Sequence, residues 1–251
     1  MNDIEDALKE SLRIFAEKCI HDFIEHNKDS FFDAFKNYFK DRSEFDTLLD
    51  NLDEDDKIKL IRLGFFYYIV TKEIKHAGVT LISIFSIMEA TATNKFRTFD
   101  QWLLSKVKRG ENISYPIADR DSFRSTILSF QKEYFEKHGS SERVRRFINK
   151  YFTDQDKVQL IKGFDIKDES ISFDSLDFNK QLRIIIDMLY NERNAFAHQG
   201  RLPQMSDRPD EMTGFFKIGN KNTYVSIKIS INIILKMFEK AFVKYIKQIC
   251  A

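Results

Sequence analysis

Apolar side chains recur every three to four residues along most of this chain, and that spacing predicts helices. Leu8, Leu12, Phe15, Ile20 and Phe23 set a rough helical period over 2–26, and a second piece over 30–39 opens at Ser30 as a cap. The acidic run at 50–57 reads as a loop and a first turn, where carboxylates favour the helix electrostatically. Its adjacent carboxylates do not converge on one ion without partners elsewhere. A helix follows over 57–74. The next, 77–105, is apolar almost all round through LISIFSIM, as expected of a central buried helix. Helices over 122–137 and 141–152 are separated by HGSS at 138–141. The stretch 153–176 is less regular, with a short helix at 155–162.

A long helix is expected over 178–198, built on LRIIIDML and ended by Gly200. Residues 199–212 form a loop. Residues 214–227 alternate weakly around Gly219-Asn220, which suggests a small hairpin. The segment 229–249 closes the chain as an amphipathic helix. No internal repeat or low-complexity tract interrupts this order. The expectation is an all-α bundle forming one domain over 1–251. Residues 1–50 would be an N-terminal helical extension and 199–227 a loop and hairpin insertion before the last helix.

Composition supports this reading. A chain of 251 residues, 43% hydrophobic and 31% charged, can bury a sizeable core. Only 8 Gly and 3 Pro leave little punctuation, which favours long helices. The 25 Phe need no binding role, because a bulky aromatic core accounts for them. Cys19 and Cys250 give neither a disulfide framework nor metal-site spacing, so a reducing compartment such as the cytoplasm is expected. The N-terminus lacks the basic and apolar regions of a signal peptide. No 18-residue apolar run is present, so no membrane span is expected.

The net charge is +1, but residues 1–60 hold 17 acidic and 9 basic side chains, a net of −8. Residues 191–251 hold 10 basic and 5 acidic, a net of +5. That asymmetry fits either a phosphate-attracting basic face or two complementary segments packed together.

The chemistry concentrates in NERNAFAHQG at 191–200. Asn194 and His198 are four apart and share a helix face. Arg193 lies five before His198, about 140° round an ideal helix, though a long guanidinium can still reach toward a phosphate. The partial negative charge at a helix C-terminus suits a proton-donating imidazole there. RNA cleavage needs a proton removed from the 2′-hydroxyl, charge stabilised at phosphorus, and a proton given to the 5′-oxygen. Histidine can move such protons at neutral pH, and arginine grips a phosphate bidentately. A purely structural reading is open too: an Arg-to-acid pair and a histidine capping its own helix.

Glu89, after SIFSIM, is costly to bury unless paired, and Arg193 is the candidate partner; otherwise it faces solvent. Lys95, Arg97, Lys106, Lys108 and Arg109, with Trp102 among them, suit a phosphate backbone or a solvated helix face equally. Arg201 and Arg208, on the loop after the motif, are placed to guide RNA. His21, His26, His76 and His138 show no metal spacing, and no cofactor is expected.

The segment Arg193-Asn194-Ala195-Phe196-Ala197-His198, closing a long apolar helix, resembles the motif of the HEPN superfamily of helical ribonucleases and nucleotide-binding modules. LISIFSIMEATATNKF, with Glu89, is similar to that family's earlier core helix. The resemblance covers about 60–200 and the final helix.

The resemblance implies a HEPN-like bundle and a metal-independent endoribonuclease, with Arg193, Asn194, His198 and Glu89 as site residues and RNA as substrate. It also implies a homodimer whose two motifs line one cleft, since the chain carries one motif. A role in microbial antiviral defence or as a toxin follows, with a protein inhibitor or partner defence protein. One branch of the family carries a modified tyrosine two residues after the histidine; here that position is Gly200. The alternative is a non-catalytic helical module that binds RNA, a nucleotide or a protein.

Overall fold

A computed structural model describes residues 18, 21–91, 101–102, 120–167, 172–201, 203, 205–208, 212–219 and 221–250. The molecule is mostly helical. Helix α1 spans residues 21–35 and runs into a 3₁₀ turn, Lys36–Tyr38. Helix α2 is Arg42–Asp50, capped by the Asp41 carboxylate accepting from the Glu44 N–H at 2.8 Å. Helix α3 is Glu54–Tyr68, widening into π-helical turns over Ile69–Ile74. Its first turn carries Glu54, Asp55 and Asp56 under an Asp53 cap, so the acidic run serves a helix N-terminus.

Helix α4, Ala77–Thr91, is the central element. Apolar residues bury most of its circumference, and its Ser83 hydroxyl donates back to the Val79 carbonyl at 2.9 Å. Of the helix expected to 105, the part beyond Thr91 lies outside the described residues, except Gln101 and Trp102. Helices α5 (Arg120–His138) and α6 (Ser140–Tyr151) break at Gly139. Helix α7, Asp154–Lys162, starts with a reciprocal capping box between Thr153 and Asp156. Helix α8, Phe178–Gln199, carries the motif, and α9, Ile231–Ile249, closes the fold. Helix α4 packs against α6, α8 and α9.

One expectation is refined and one corrected. The mostly helical fold also carries a small sheet: β1 (Phe164–Ile166), β2 (Met212–Ile218) and β3 (Lys221–Ile227) form it, antiparallel, in the order β1-β3-β2. The hairpin is the one expected at 214–227, with Gly219 at φ +60° in its turn. Strand β1 adds to it from the stretch that read as irregular. The N-terminal region also does not break near residues 27–29. Asn27 is buried and its side-chain amide N–H donates to the Phe23 carbonyl at 2.7 Å, within one continuous helix.

Helices α1 and α2 share a single buried cluster with α3, α4, α6, α8 and α9. Phe31, Phe35, Phe45, Tyr67, Phe238 and Phe242 interlock there in edge-on, tilted and stacked contacts. Gly64 lets α3 approach α1, since a methyl there would run into the Phe31 ring. Beside this cluster the Glu239 carboxylate accepts from the Tyr38 and Tyr67 hydroxyls, both at 2.7 Å, tying α9 to two other elements. Burial, more than the nearby carboxylate, pushes the Tyr67 hydroxyl far above its ordinary pKa. Among the described residues, no helix is long and apolar enough to cross a membrane.

Candidate functional site

Helix α8 sets the site through its buried stripe. Leu182, Ile185, Ile186 and Leu189 face the core, and Asp177 caps the start by accepting from the Lys180 N–H at 3.0 Å. At the other end Gly200 adopts φ +67°, and its N–H bonds the Phe196 carbonyl at 2.9 Å. His198 therefore stands exposed in the last helical turn.

Arg193 and His198 open on different sides of α8. Arg193 lies toward the end of α4, with its Nη2 3.1 Å from Glu89 Oε2, so the ion pair expected from the sequence forms. Its side chain is 25% exposed, and its guanidinium lies 5.7 Å from the Tyr190 ring centroid. The same carboxylate receives the Tyr190 hydroxyl at 3.4 Å, and Arg143 of α6 lies 3.8 Å from Oε1. Burial is the main cause raising the Tyr190 pKa, with a hydrogen bond to Ser140 opposing it.

Asn194 joins the two sides. Arg193 Nη1 donates to Asn194 Oδ1 at 3.2 Å, which directs the amide's donor capacity elsewhere. Asn194 also lines a groove of about 330 Å³ with His198, Glu192, Arg201 and the hairpin residues Phe215, Lys217 and Asn222. The hairpin is tied to the motif helix by the Asn191 amide, which donates to the Lys217 carbonyl at 3.1 Å on edge strand β2.

Glu192 was not expected from the sequence as a site residue. Its side chain is only 3% exposed, and Arg201 reaches back over the helix end to it at 3.0 Å. Burial raises the Glu192 pKa, and Arg201 offsets part of that rise. One guanidinium nitrogen of Arg201 is thus held while the side chain stays 53% exposed along the groove.

The structure brings Arg193, Glu89 and Asn194 together, and places His198, Asn194 and Arg201 on one groove. Arg208 is exposed, with its N–H on the Ser206 hydroxyl at 3.0 Å, and does not line that groove. Lys106, Lys108 and Arg109 lie outside the described residues, as do Lys95 and Arg97. A larger cavity of about 450 Å³, lined by Val158, Phe164, Phe173, Phe178 and Lys228, holds none of the motif residues. Among the described residues, no three His, Cys, Asp or Glu side chains group as metal ligands. No protein-family model matches the chain, and neither does any curated protein or solved structure in the comparisons made.

Proposed function

We propose that this protein is a cytoplasmic, metal-independent endoribonuclease that acts as a homodimer, with HEPN-like Arg193 and His198 as its catalytic pair. The observation that carries this reading is the path Arg193–Asn194–groove. An exposed histidine at the end of α8 shares a groove with an amide that is itself bonded to the motif arginine. In the proposed reaction one His198 removes the proton from a 2′-hydroxyl and the partner subunit's His198 protonates the departing 5′-oxygen. Arginine supplies charge that counts most in the transition state. The resemblance assigns such an activity to microbial defence or a toxin, with a protein inhibitor or partner.

Purified protein incubated with mixed RNAs in EDTA should cut them, leaving 2′,3′-cyclic phosphates and 5′-hydroxyls by mass spectrometry, and DNA should resist. His198→Ala should lose roughly 10²–10⁴-fold in rate. Arg193→Ala should lose a comparable amount, and Arg193→Lys should restore little because the planar fork is gone. Ends bearing 5′-phosphate, or activity that requires magnesium, would sink the mechanism. A monomer by light scattering with undiminished specific activity on dilution would remove the shared cleft.

One observation favours a second reading. Glu89, Asn194 and the Tyr190 ring already engage Arg193, as in a helical module that binds RNA, a nucleotide or a protein without cutting. Under that reading the same RNAs bind and stay intact.

A further inference from the structure

The β2–β3 hairpin adds an aromatic element to the groove that the motif does not account for. Its register sets Phe215 opposite Tyr224 and Lys217 opposite Asn222, so these four share the outer face of the ribbon. The inner face buries Phe216, Thr223, Val225 and Ile227, which fixes the hairpin on the core. Phe215 is 66% exposed, the most of any large apolar side chain among the described residues. Tyr224 braces it edge-on, with ring centroids 5.6 Å apart and planes at 70°. The strand is fixed against α8 by Asn191, so the ring and His198 ride on anchored elements.

Charge and polarity say what such a ring would meet. Phe215 lines the groove with the cations Arg201 and Lys217, the amides Asn194 and Asn222, and His198. An apolar peptide would leave most of these groups without partners. A nucleotide uses all of them: the flat base stacks on an aromatic face, amides meet its edge, and cations meet phosphate. In a duplex the base faces are already stacked on neighbouring pairs, so the base must come from an unpaired segment.

We propose that this groove takes an unpaired nucleotide of RNA, its base stacked on Phe215 and its phosphate toward Arg201, Lys217 and His198. The assignment rests on the ribonuclease reading for the identity of the polymer and deepens it by naming single-stranded RNA as the substrate class.

The test uses the full unsubstituted chain and RNA built from 2′-O-methyl nucleotides, which lack the attacking hydroxyl and so are not consumed. A single-stranded oligoribonucleotide containing 2-aminopurine is titrated against it, and the same sequence as a duplex is titrated separately. Adding Phe215→Ala should weaken single-strand binding by about ten-fold or more and abolish the fluorescence quenching that reports stacking. Phe215→Tyr should restore both, and the duplex should bind more weakly than the single strand. Because Phe215 is exposed, circular dichroism should be unchanged. Equal affinities with and without the ring, a duplex bound as tightly, no binding to either, or a Phe215→Ala variant that changes oligomeric state by light scattering would each overturn the proposal. Cleavage by the unsubstituted protein in EDTA is scored separately. Cutting with Phe215-independent binding overturns the base site alone. Phe215-dependent binding without cutting overturns the nuclease reading and leaves the base site standing.

Discussion

The Glu89–Arg193 pair should be worth a measurable coupling energy, and its size follows from its surroundings. The Arg193 nitrogen sits 3.1 Å from the carboxylate, and both side chains are mostly but not fully buried, at 25% and 16% exposed. Coulomb attraction between unit charges about 4 Å apart is about 4 kcal/mol at an effective dielectric of 20, before desolvation is charged against it. Exposed pairs net about 0.2–1 kcal/mol, and breaking a fully buried pair costs about 3–5 kcal/mol. A partly buried pair falls between, and Arg143 at 3.8 Å shares the same carboxylate. A coupling of about 1–2 kcal/mol is expected. Glu89→Gln alone removes the carboxylate charge 3.1 Å from the Arg193 guanidinium and should cost about 2 kcal/mol, or about 4–8 °C in Tm for a chain of this size.

Urea unfolding of the parent, Glu89→Gln, Arg193→Gln and the double variant measures this directly. The same four proteins then go into the cleavage assay. If Glu89 acts only by holding the guanidinium, the double variant should cut no more slowly than Arg193→Gln alone. A coupling below about 0.3 kcal/mol would refute the pairing as an energetic feature. Fully additive losses of cleavage would refute the positioning role while leaving the ion pair in place.

Two further outcomes test the fold and the groove. Gly64→Ala should lower stability by about 1–3 kcal/mol, because the added methyl meets the fully buried Phe31 ring. A rise in Tm, the usual result of Gly→Ala inside a helix, would show that α1 does not pack there as described. Glu192 has a folded-state pKa above its unfolded one, so its neutral form is the one folding favours. Its contribution is full below the ordinary carboxylate range and is lost as pH rises through the raised value. From the ordinary carboxylate range upward, Glu192→Gln should therefore lose less stability with rising pH than the parent, as read by urea midpoints. A steeper loss in the variant would contradict that sign.

The helices could be read from sequence where burial imposed one period. LISIFSIM had to be a central helix because only an element covered on every side tolerates that pattern, and α4 is one. Gly200 marked the end of α8 because the chain turns left-handed there. Strand β1 could not be read, since three residues are too few to display alternation and its pairing with β3 spans some sixty residues. The polar stretch at 26–30 looked like a break because a side-chain amide donating back to its own helix, as Asn27 does, leaves no trace in the pattern.

The same split runs through the site. A carboxylate ending an apolar run needs a partner, and that argument leads to Glu89 and Arg193. Glu192 left a comparable signal. Leu182, Ile185, Leu189 and Glu192 follow one another at steps of three, four and three, which puts the carboxylate in the buried stripe. Its partner Arg201 lies beyond the helix end, where no periodicity applies. Phe215 and Phe216 are adjacent on a strand, so one had to point outward, but the alternation alone does not say which. The core packing decides it: Phe216 is buried and Phe215 is left on the groove.

The geometry of α8 constrains any mechanism built on the motif. Five residues turn a side chain through about 140°, and here that turn sends Arg193 to the Glu89 carboxylate and His198 to the hairpin groove. Among the described residues of one chain, the guanidinium that lines the groove is that of Arg201, paired with buried Glu192. Arg193 communicates with the groove through the Asn194 amide. Under the proposed reading, Arg193 meets the phosphate only by exchanging Glu89 for it or by facing a groove supplied by a second protomer. The first route costs an ion pair in every turnover. The second leaves the pair intact and orients the arginine before substrate arrives, which is where preorganised charge contributes most. A two-fold arrangement also supplies two imidazoles from a chain that carries the motif once. Under that reading, the divergence of Arg193 and His198 within one protomer favours a cleft shared by two protomers over one closed within a single chain.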